Sequence, residues 1–401
     1  MTTRPLPLPR LAVFLGLVAA GAAPVTLKYG GLGLTAAYVI GLMGAGLVIA
    51  AVSSRTLRLP DGRWQAAVLG VALAATFAIG YPIAQSGLLG PGSDRDEALS
   101  IAIQALLEGR FPYWERTYFN NPISPLPGAL LIGLPFHLLG SVAVQNLVIT
   151  LAAGAALGRA LRDEPARWLL LGLATLGNPG FMQDYVTGGD YAVNALYVGA
   201  ALWAAVRAVD GGPPWRMALM AALLGVAVCS RPIHAVAGVI LVCHGWHRRG
   251  PAAAVGMAAV LAAVNAALVL PFYLYDPAGF SPLHVTNKLP GGFAFLRPVL
   301  PLAAAAAVAV LSFRPLPPSR LFAVLATGLG IMLVPAALIL AGQQPGAGVR
   351  VWTAPLLYIL PAFLCGAAAA VLGAPAGNRY VNGFRFARNC SADRRQEKPS
   401  A

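Results

Sequence analysis

Acidic residues with the potential for chemistry are concentrated in one stretch of this chain. Five of its fourteen Asp and Glu residues lie between Asp94 and Glu115, and the stretch begins with the run Asp94, Arg95, Asp96, Glu97. A carboxylate within hydrogen-bond reach of a hydroxyl can accept its proton while that hydroxyl attacks an electrophile. Carboxylate oxygens can also hold a divalent cation. The stretch therefore predicts a general base and leaves a metal ion as an open alternative.

The same acids also have a purely structural interpretation. Asp94 fits the N-cap of a short helix, and Glu97 three residues later would complete a capping box. Asp96 in the first turn would gain from the helix dipole. Apolar side chains then recur at helical spacing, at Leu99, Ile103, Leu106 and Leu107. We therefore predict an amphipathic helix here, and capping alone could account for two of the acids.

Aromatic residues follow this helix closely. They are Phe111, Tyr113, Trp114, Tyr118 and Phe119. Such a group is typical either of an aromatic belt at a membrane interface or of a platform for a sugar ring. Tyr113 is our candidate among them for contact with a substrate.

The remaining candidate binding residues border apolar runs. They are Asp190, Arg231, Lys288, Arg297 and Arg350. Their ordinary roles would be an N-cap for Asp190, a snorkelling side chain for Arg231, and anchoring at the ends of membrane spans for the other three. Their functional role would be to bind a phosphate, for which arginine is well suited.

Composition determines which kind of fold must position these residues. The 401 residues are 58% hydrophobic and 10% charged, with a mean hydropathy of +0.71. A soluble domain carries about 25% charged residues, so these values exclude a soluble globular protein, a disordered chain and a typical nucleic-acid binder. The fold class predicted is an all-α polytopic membrane protein of about 12–13 transmembrane segments, with the amphipathic helix of the outer loop lying apolar face down on the membrane.

Thirteen apolar runs approach the length of a membrane span. They cover 11–27, 33–53, 64–84, 126–140, 142–158, 168–182, 190–208, 216–230, 232–246, 252–274, 294–312, 321–341 and 352–373. Residues 1–373 are thus expected to form one transmembrane domain. Residues 374–401 are expected to form a basic, disordered cytoplasmic tail.

The positive-inside rule orients these spans. With both termini in the cytoplasm, the segment 85–125 lies outside, and its acids face the exterior of the plasma membrane. The outer segments then hold equal numbers of basic and acidic residues, and the whole formal charge of +14 lies inside. This arrangement requires 126–158 to cross once, either because 126–140 is re-entrant or interfacial, or because the stretch is one kinked crossing. Thirteen full crossings would place arginine-rich loops outside.

The order of motifs in the outer segment resembles that of a known superfamily. An acidic pair, a helix ending in LLEGRFPY, and an extended YFNNPISPLPGAL before a span follow one another over residues 92–140. This order is similar to the first outer loop of the GT-C integral-membrane glycosyltransferases, which include protein O-mannosyltransferases and lipid A aminoarabinose transferases. The many-span architecture extends the resemblance loosely to the rest of the chain.

The resemblance implies a function and roles for particular residues. Asp96 falls where the family has its catalytic carboxylate, with Glu97 beside it, although Asp94 could take that role because it extends the acidic run. Asp190 and Arg231 match a second outer acid and a basic element that opens a later span. The donor would be a polyprenyl-phosphate sugar, and the acceptor a cell-envelope glycan, a glycolipid or a secreted protein. Transfer would invert the anomeric centre.

Two other functions compete with glycosyl transfer. A transporter or flippase of lipid-linked or small polar substrates would place ionisable residues near the middle of the bilayer, whereas the charges of this chain cluster at span ends. A non-catalytic scaffold would leave the acidic, aromatic loop without a role. We therefore expect a transferase, with transport as the alternative.

Overall fold

The protein is predominantly helical in the residues that its computed structural model describes, which are 7–54, 62–88, 93–161, 165–283, 289–343 and 356–373. Within these ranges the β-structure is limited to one isolated bridge between Arg116 and Pro122. The predicted tail, 374–401, lies outside the described residues. The helices are α1 (Leu8–Ser54), α2 (Gly62–Gln85), α3 (Arg95–Leu107), α4 (Pro127–Leu138), α5 (Val144–Leu161), α6 (Pro165–Ala174), α7 (Pro179–Val186), α8 (Tyr191–Gly211), α9 (Pro214–Val228), α10 (Ala235–Arg249), α11 (Pro251–Tyr275), α12 (Leu296–Ser312), α13 (Pro318–Gly342) and α14 (Leu360–Leu372).

Apolar length and exposed apolar surface identify this bundle as a multi-pass membrane protein. Six helical segments are long and apolar enough to cross a bilayer: α1, α2, α8, α11, α12 with the 3₁₀ turn before it, and α13. Large apolar side chains on α2 and α11 point away from the protein, among them Val71, Ile79, Val255 and Leu274. A soluble protein would not expose so much apolar surface, so these helices face lipid.

Helix α1 is a hairpin of two antiparallel helices. Its backbone leaves helical geometry at Gly31, with φ +65° and ψ −163°. The Thr35 hydroxyl donates to that of Thr26 at 3.0 Å, and Leu15 packs against Gly46. In one straight helix residues 15 and 46 would lie about 46 Å apart. The two predicted spans, 11–27 and 33–53, are therefore the two arms of this hairpin.

Contacts between helix ends distinguish two opposite faces of the bundle. Asp190, directly before α8, pairs with Arg231, which follows α9, and lies 3.9 Å from Arg95 at the start of α3. At the other end of α8, Asp210 accepts a hydrogen bond from Arg248 in the last turn of α10 at 2.9 Å. We call these ends the Asp190 face and the Asp210 face.

Helix α4 begins and ends on the Asp190 face. At its start, the Gly128 N–H donates to the Cys229 carbonyl at the end of α9. At its end, the His137 ring bonds Ser100 and Gln104 of α3, each at 3.1 Å. Its 12 residues span about 18 Å, well short of a bilayer core of about 30 Å. This geometry favours the re-entrant alternative for 126–140, with α5 alone continuing to the Asp210 face.

The predicted span 168–182 is not one continuous helix, because the chain breaks there into α6 and α7. Asn178 caps α7, with its side-chain oxygen accepting from the N–H groups of Gly180 and Phe181 at 2.9 and 3.3 Å. Pro179 occupies the first helical position, where its missing N–H costs nothing. An Asn-Pro pair marks a helix start, and the continuous hydropathy of the run obscured that signal.

Helix α3 is also placed differently from the prediction. Its apolar side chains Leu99 and Ile103 are buried by protein, against α4 and the loop that contains Phe111. Only Leu106 and Leu107, near its end, are exposed. The predicted surface helix with its apolar face in lipid is therefore corrected to a helix packed onto α4, because residues 111–130 return across that face.

Candidate functional site

Asp96 occupies a nearly closed position on the first turn of α3. Its side chain is 8% exposed, and its Oδ2 accepts hydrogen bonds from the Tyr81 hydroxyl at 3.0 Å and from Gln85 Nε2 at 2.8 Å. Burial raises the pKa of Asp96 above its ordinary value, while the hydrogen bonds from Tyr81 and from the Glu97 backbone oppose the rise. A carboxyl group with a raised pKa is a better proton acceptor than an exposed aspartate.

The backbone turn after α7 fits closely against this carboxylate. Gly188 has φ +71°, and a Cβ at its position would lie 2.7 Å from the Asp96 carboxylate oxygen. Only glycine meets both conditions, since other residues avoid this backbone region and would displace the acid. Two residues later comes Asp190, whose Cα is no more than about 7 Å from that of Gly188.

Replacing Gly188 by alanine should therefore disturb Asp96. We expect a stability loss of about 1–2 kcal/mol from the left-handed backbone alone, with displacement of the carboxylate in addition. Thermal unfolding in detergent micelles measures the change. Gly172→Ala in α6 is the matched control, because a Cβ there meets nothing within 4 Å, and it should be neutral or slightly stabilising. Equal melting temperatures for both variants would contradict the close fit.

Asp94 and Glu97 do not form the predicted capping box. Asp94 stands at the N-cap position without a side-chain capping hydrogen bond. Its Oδ2 instead accepts from the Thr117 hydroxyl at 2.7 Å and from Asn121 Nδ2 at 2.8 Å, and Glu97 Oε2 accepts from the Tyr118 N–H at 3.1 Å. Both carboxylates thus anchor a loop about twenty residues away. Of the three acids, Asp96 is the one enclosed by Tyr81, Gln85 and Gly188.

Asp190 and Arg231 form a buried ion pair, and neither takes its predicted ordinary role. Asp190 makes no capping hydrogen bond at the start of α8, and its side chain is 1% exposed. Arg231 donates to Asp190 Oδ2 through Nε at 2.9 Å and Nη2 at 2.5 Å, and through Nη1 to the Ser124 hydroxyl at 3.4 Å. Burial disfavours the charge on Asp190, but Arg231 and then Arg95 outweigh it and hold its pKa below the ordinary value.

Two residues of this cluster were not assigned roles by the sequence. Arg95 Nη1 donates to Asp184 Oδ1 at 3.2 Å, and its guanidinium lies 3.6 Å from the centre of the Tyr191 ring. Asp184, which the sequence places in a loop, caps α8 by accepting from the Ala192 N–H at 2.8 Å. Two arginines and two aspartates are thus held together on the Asp190 face. The alternating charges of the Asp-Arg-Asp-Glu run were the sequence signal for an ion-pair cluster. The partners of Arg95 in that cluster, however, are about ninety residues away in the chain.

The aromatic loop is divided between core and surface. Tyr113, the predicted substrate contact, is 4% exposed, and its ring packs edge-on against Phe272 and Phe280. Tyr118 and Phe119 are exposed, and their ring centres are 4.1 Å apart. Trp114 is exposed as well, and its indole N–H donates to Asp276. The exposed aromatic surface is therefore formed by Trp114, Tyr118 and Phe119 and not by Tyr113.

Of the other predicted basic contacts, Arg297 is among the described residues. Arg297 donates from Nη2 to the Leu289 carbonyl at 2.8 Å, near the start of α12. This contact fits anchoring at a helix end. Lys288 and Arg350 lie outside the described residues.

A metal site is not assembled by the acids of α3. Their carboxylates point to different partners, with Asp94 and Glu97 turned towards the loop and Asp96 towards α2. Among the residues described, there is no group of three or more His, Cys, Asp or Glu side chains that could hold a metal ion.

Comparison with known proteins leaves this site without a precedent to draw on. No family model, no curated protein and no solved structure matches the chain. The arrangement itself offers one buried proton acceptor, two arginines clustered with Asp184 and Asp190, and an exposed aromatic pair anchored by two further carboxylates.

Proposed function

We propose that this chain is a membrane glycosyltransferase of the GT-C type, which moves a sugar from a polyprenyl-phosphate donor to an acceptor hydroxyl. The observation that carries the proposal is the environment of Asp96. It is a buried carboxyl of raised pKa, whereas Asp94 and Glu97 beside it are engaged in anchoring a loop. A single proton acceptor suits transfer in one inverting step, unlike the paired carboxylates of glycoside hydrolases.

The proposed topology has twelve crossings, with the Asp190 face outside the plasma membrane. The crossings are the two arms of α1, then α2, α5, the broken pair α6 and α7, and α8 to α14. Arg248 and Arg249 lie on the Asp210 face with Asp210, and basic residues favour the cytoplasmic side. Both termini would then be cytoplasmic, and α3 and α4 would lie at the outer surface.

In the proposed reaction, Asp96 accepts the proton of the acceptor hydroxyl. The acceptor oxygen forms a bond to the anomeric carbon, and the bond between that carbon and the phosphate oxygen breaks with its electron pair. The polyprenyl phosphate leaves with its lipid still in the bilayer. Developing charge on the phosphate requires fixed positive groups. Arg95, next to Asp96 in the chain, and Arg231 both contact Asp190, and a guanidinium has five N–H donors, more than their contacts with Asp184 and Asp190 occupy.

Transport or flipping of a lipid-linked substrate is the second candidate. The break between α6 and α7 favours it, because discontinuous helices often form the substrate sites of transporters. The break is occupied by protein, however, since the Tyr38 hydroxyl donates to the Gly177 carbonyl at 2.9 Å. Transfer is therefore the better supported of the two.

The experiment that tests the proposal is a transfer assay on the full chain in lipid nanodiscs. Radiolabelled polyprenyl-phosphate sugars with different head groups are each supplied with a cell-envelope extract. We expect label to move from at least one donor into acceptor material, and not in protein-free nanodiscs. No transfer from any donor, together with movement of the same lipids between leaflets in proteoliposomes, would establish transport instead.

A further inference from the structure

Two aromatic side chains project from a tight turn on the Asp190 face. Tyr118 and Phe119 occupy the two central positions of the turn Thr117–Asn120, which is closed by a hydrogen bond from the Asn120 N–H to the Thr117 carbonyl at 2.7 Å. Asn120 has φ +59°, a backbone conformation that asparagine tolerates better than most residues. Tyr118 is 55% exposed and Phe119 is 44% exposed. We call residues Thr117–Asn120 the aromatic turn.

The aromatic turn is anchored by the two acids on either side of Asp96 that have a structural role, Asp94 and Glu97. Asp94 holds the Thr117 hydroxyl, and Glu97 holds the Tyr118 N–H. A second link closes the base of the loop, where Arg116 and Pro122 form a bridge. Two exposed aromatic rings are therefore presented in a fixed orientation. An aromatic belt at a membrane interface needs no such anchoring, since its side chains are positioned by the lipid head groups.

The charge around the aromatic turn limits what it can bind. Partial burial and then the carboxylates of Asp94, Glu97 and Asp96 raise the pKa of Tyr118, while the Arg116 guanidinium donates to the Asn120 carbonyl of the same turn at 3.4 Å. Because charges of both signs lie at the turn, it favours neither an anionic nor a cationic head group. A neutral ligand with hydroxyl donors is favoured, because carboxylate oxygens accept from hydroxyls. A pyranose ring combines such hydroxyls with an apolar face that can cover an aromatic ring.

We propose that Tyr118 and Phe119 form a stacking platform for a neutral pyranose ring of a glycan, at the loop that Asp94 and Glu97 anchor. The identification of this glycan as the acceptor rests on the proposed function, whereas its binding does not. The platform selects a glycan over a secreted protein or a simple lipid as the acceptor.

The test is direct binding to the full chain in nanodiscs, without any donor. The probes are neutral hexasaccharides of mannose, glucose and N-acetylglucosamine, measured by saturation-transfer NMR and titration calorimetry. We expect at least one to bind, and the double variant Tyr118→Ala/Phe119→Ala to lose at least about tenfold in affinity, the scale for removing aromatic contacts. Trp215→Ala is the control, because Trp215 is 67% exposed at the start of α9 on the opposite face, and binding should be unchanged.

A second variant tests the alternative that lipid covers the platform. In Phe119→Trp the added indole fluorescence should respond to the hexasaccharide and not to brominated lipids. Quenching by brominated lipids without a response to sugar would overturn the platform, as would equal hexasaccharide affinity in the double variant. If the sugar binds through the platform but no donor supports transfer, the proposed function fails and the platform stands. If transfer proceeds with an unchanged acceptor KM in the double variant, the platform fails and the proposed function stands.

Discussion

Replacing Asp96 by asparagine is expected to reduce the rate of sugar transfer by about 10²–10⁴-fold, the range that a positioned general base contributes. Asparagine keeps the size of the side chain and an oxygen that can accept from Tyr81 and Gln85. It loses the ability to take a proton. The loss should therefore appear in kcat for the preferred donor, while the melting temperature in detergent changes little.

Substitutions at the two neighbouring acids distinguish the proposed base, Asp96, from Asp94 and Glu97, which anchor the loop. Asp94→Asn and Glu97→Gln retain an oxygen that can accept from Thr117 and Tyr118, so each should change transfer by no more than about tenfold, the scale of one weakened hydrogen bond. Glu108→Gln, an exposed acid paired with Arg110, is the control for loss of charge alone. Full transfer by Asp96→Asn, with loss in Asp94→Asn, would move the base to Asp94.

Hydropathy was sufficient to predict most of the fold. The runs 64–84, 252–274 and 321–341 correspond to α2, α11 and α13, because long apolar segments must satisfy their backbone hydrogen bonds internally when they meet lipid. The break at Asn178 within the run 168–182 was not predicted, because apolar composition is the same on both sides of it.

The candidate site was harder to predict, because its contacts are distant in sequence. Asp94 and Glu97 have the spacing of a capping box. Nothing in the local sequence indicated that Thr117 and Tyr118 would donate hydrogen bonds to their carboxylates instead. Arg231 at the end of an apolar run looked like a snorkelling residue, and only the packing of α8 against α9 brings Asp190 to it. The residue types in the sequence indicated where a reactive site could form. The hydrogen-bond and ion-pair partners of those residues could be identified only from the fold.

Removing the guanidinium of Arg231 is expected to be the most destabilising single change in the described chain. In Arg231→Met, the side chain of Asp190 remains 1% exposed and loses its closest positive partner. Breaking a buried ion pair from one side costs about 3–5 kcal/mol when the remaining charge is uncompensated, and Arg95, 3.9 Å from Asp190, offsets only part of that cost. A large fall in melting temperature, or loss of folded protein from the membrane, would be the measured result.

Two controls identify burial of the lone charge as the cause. The double variant Arg231→Met/Asp190→Asn removes both charges and should recover a substantial part of the lost stability, since a neutral buried pair avoids the cost of an unpaired carboxylate. Arg248→Met breaks a pair with Asp210 whose side chains are 44% and 34% exposed, and it should cost no more than about 1 kcal/mol. Equal losses in all three variants would show that packing, and not charge, is responsible.

The pH dependence of the melting temperature is an independent test of the same ion pair. In the wild type, Arg231 holds the folded pKa of Asp190 below its ordinary value, so the pair stabilises at pH values above about 4 and the contribution is lost as the pH falls through the lower folded pKa. In Arg231→Met, burial would instead raise that pKa, and acidification would neutralise the stranded carboxylate. The difference in melting temperature between the two proteins should therefore narrow as the pH falls from 7 towards 4. A difference that stays constant or widens would mean that Asp190 is not the group that Arg231 stabilises.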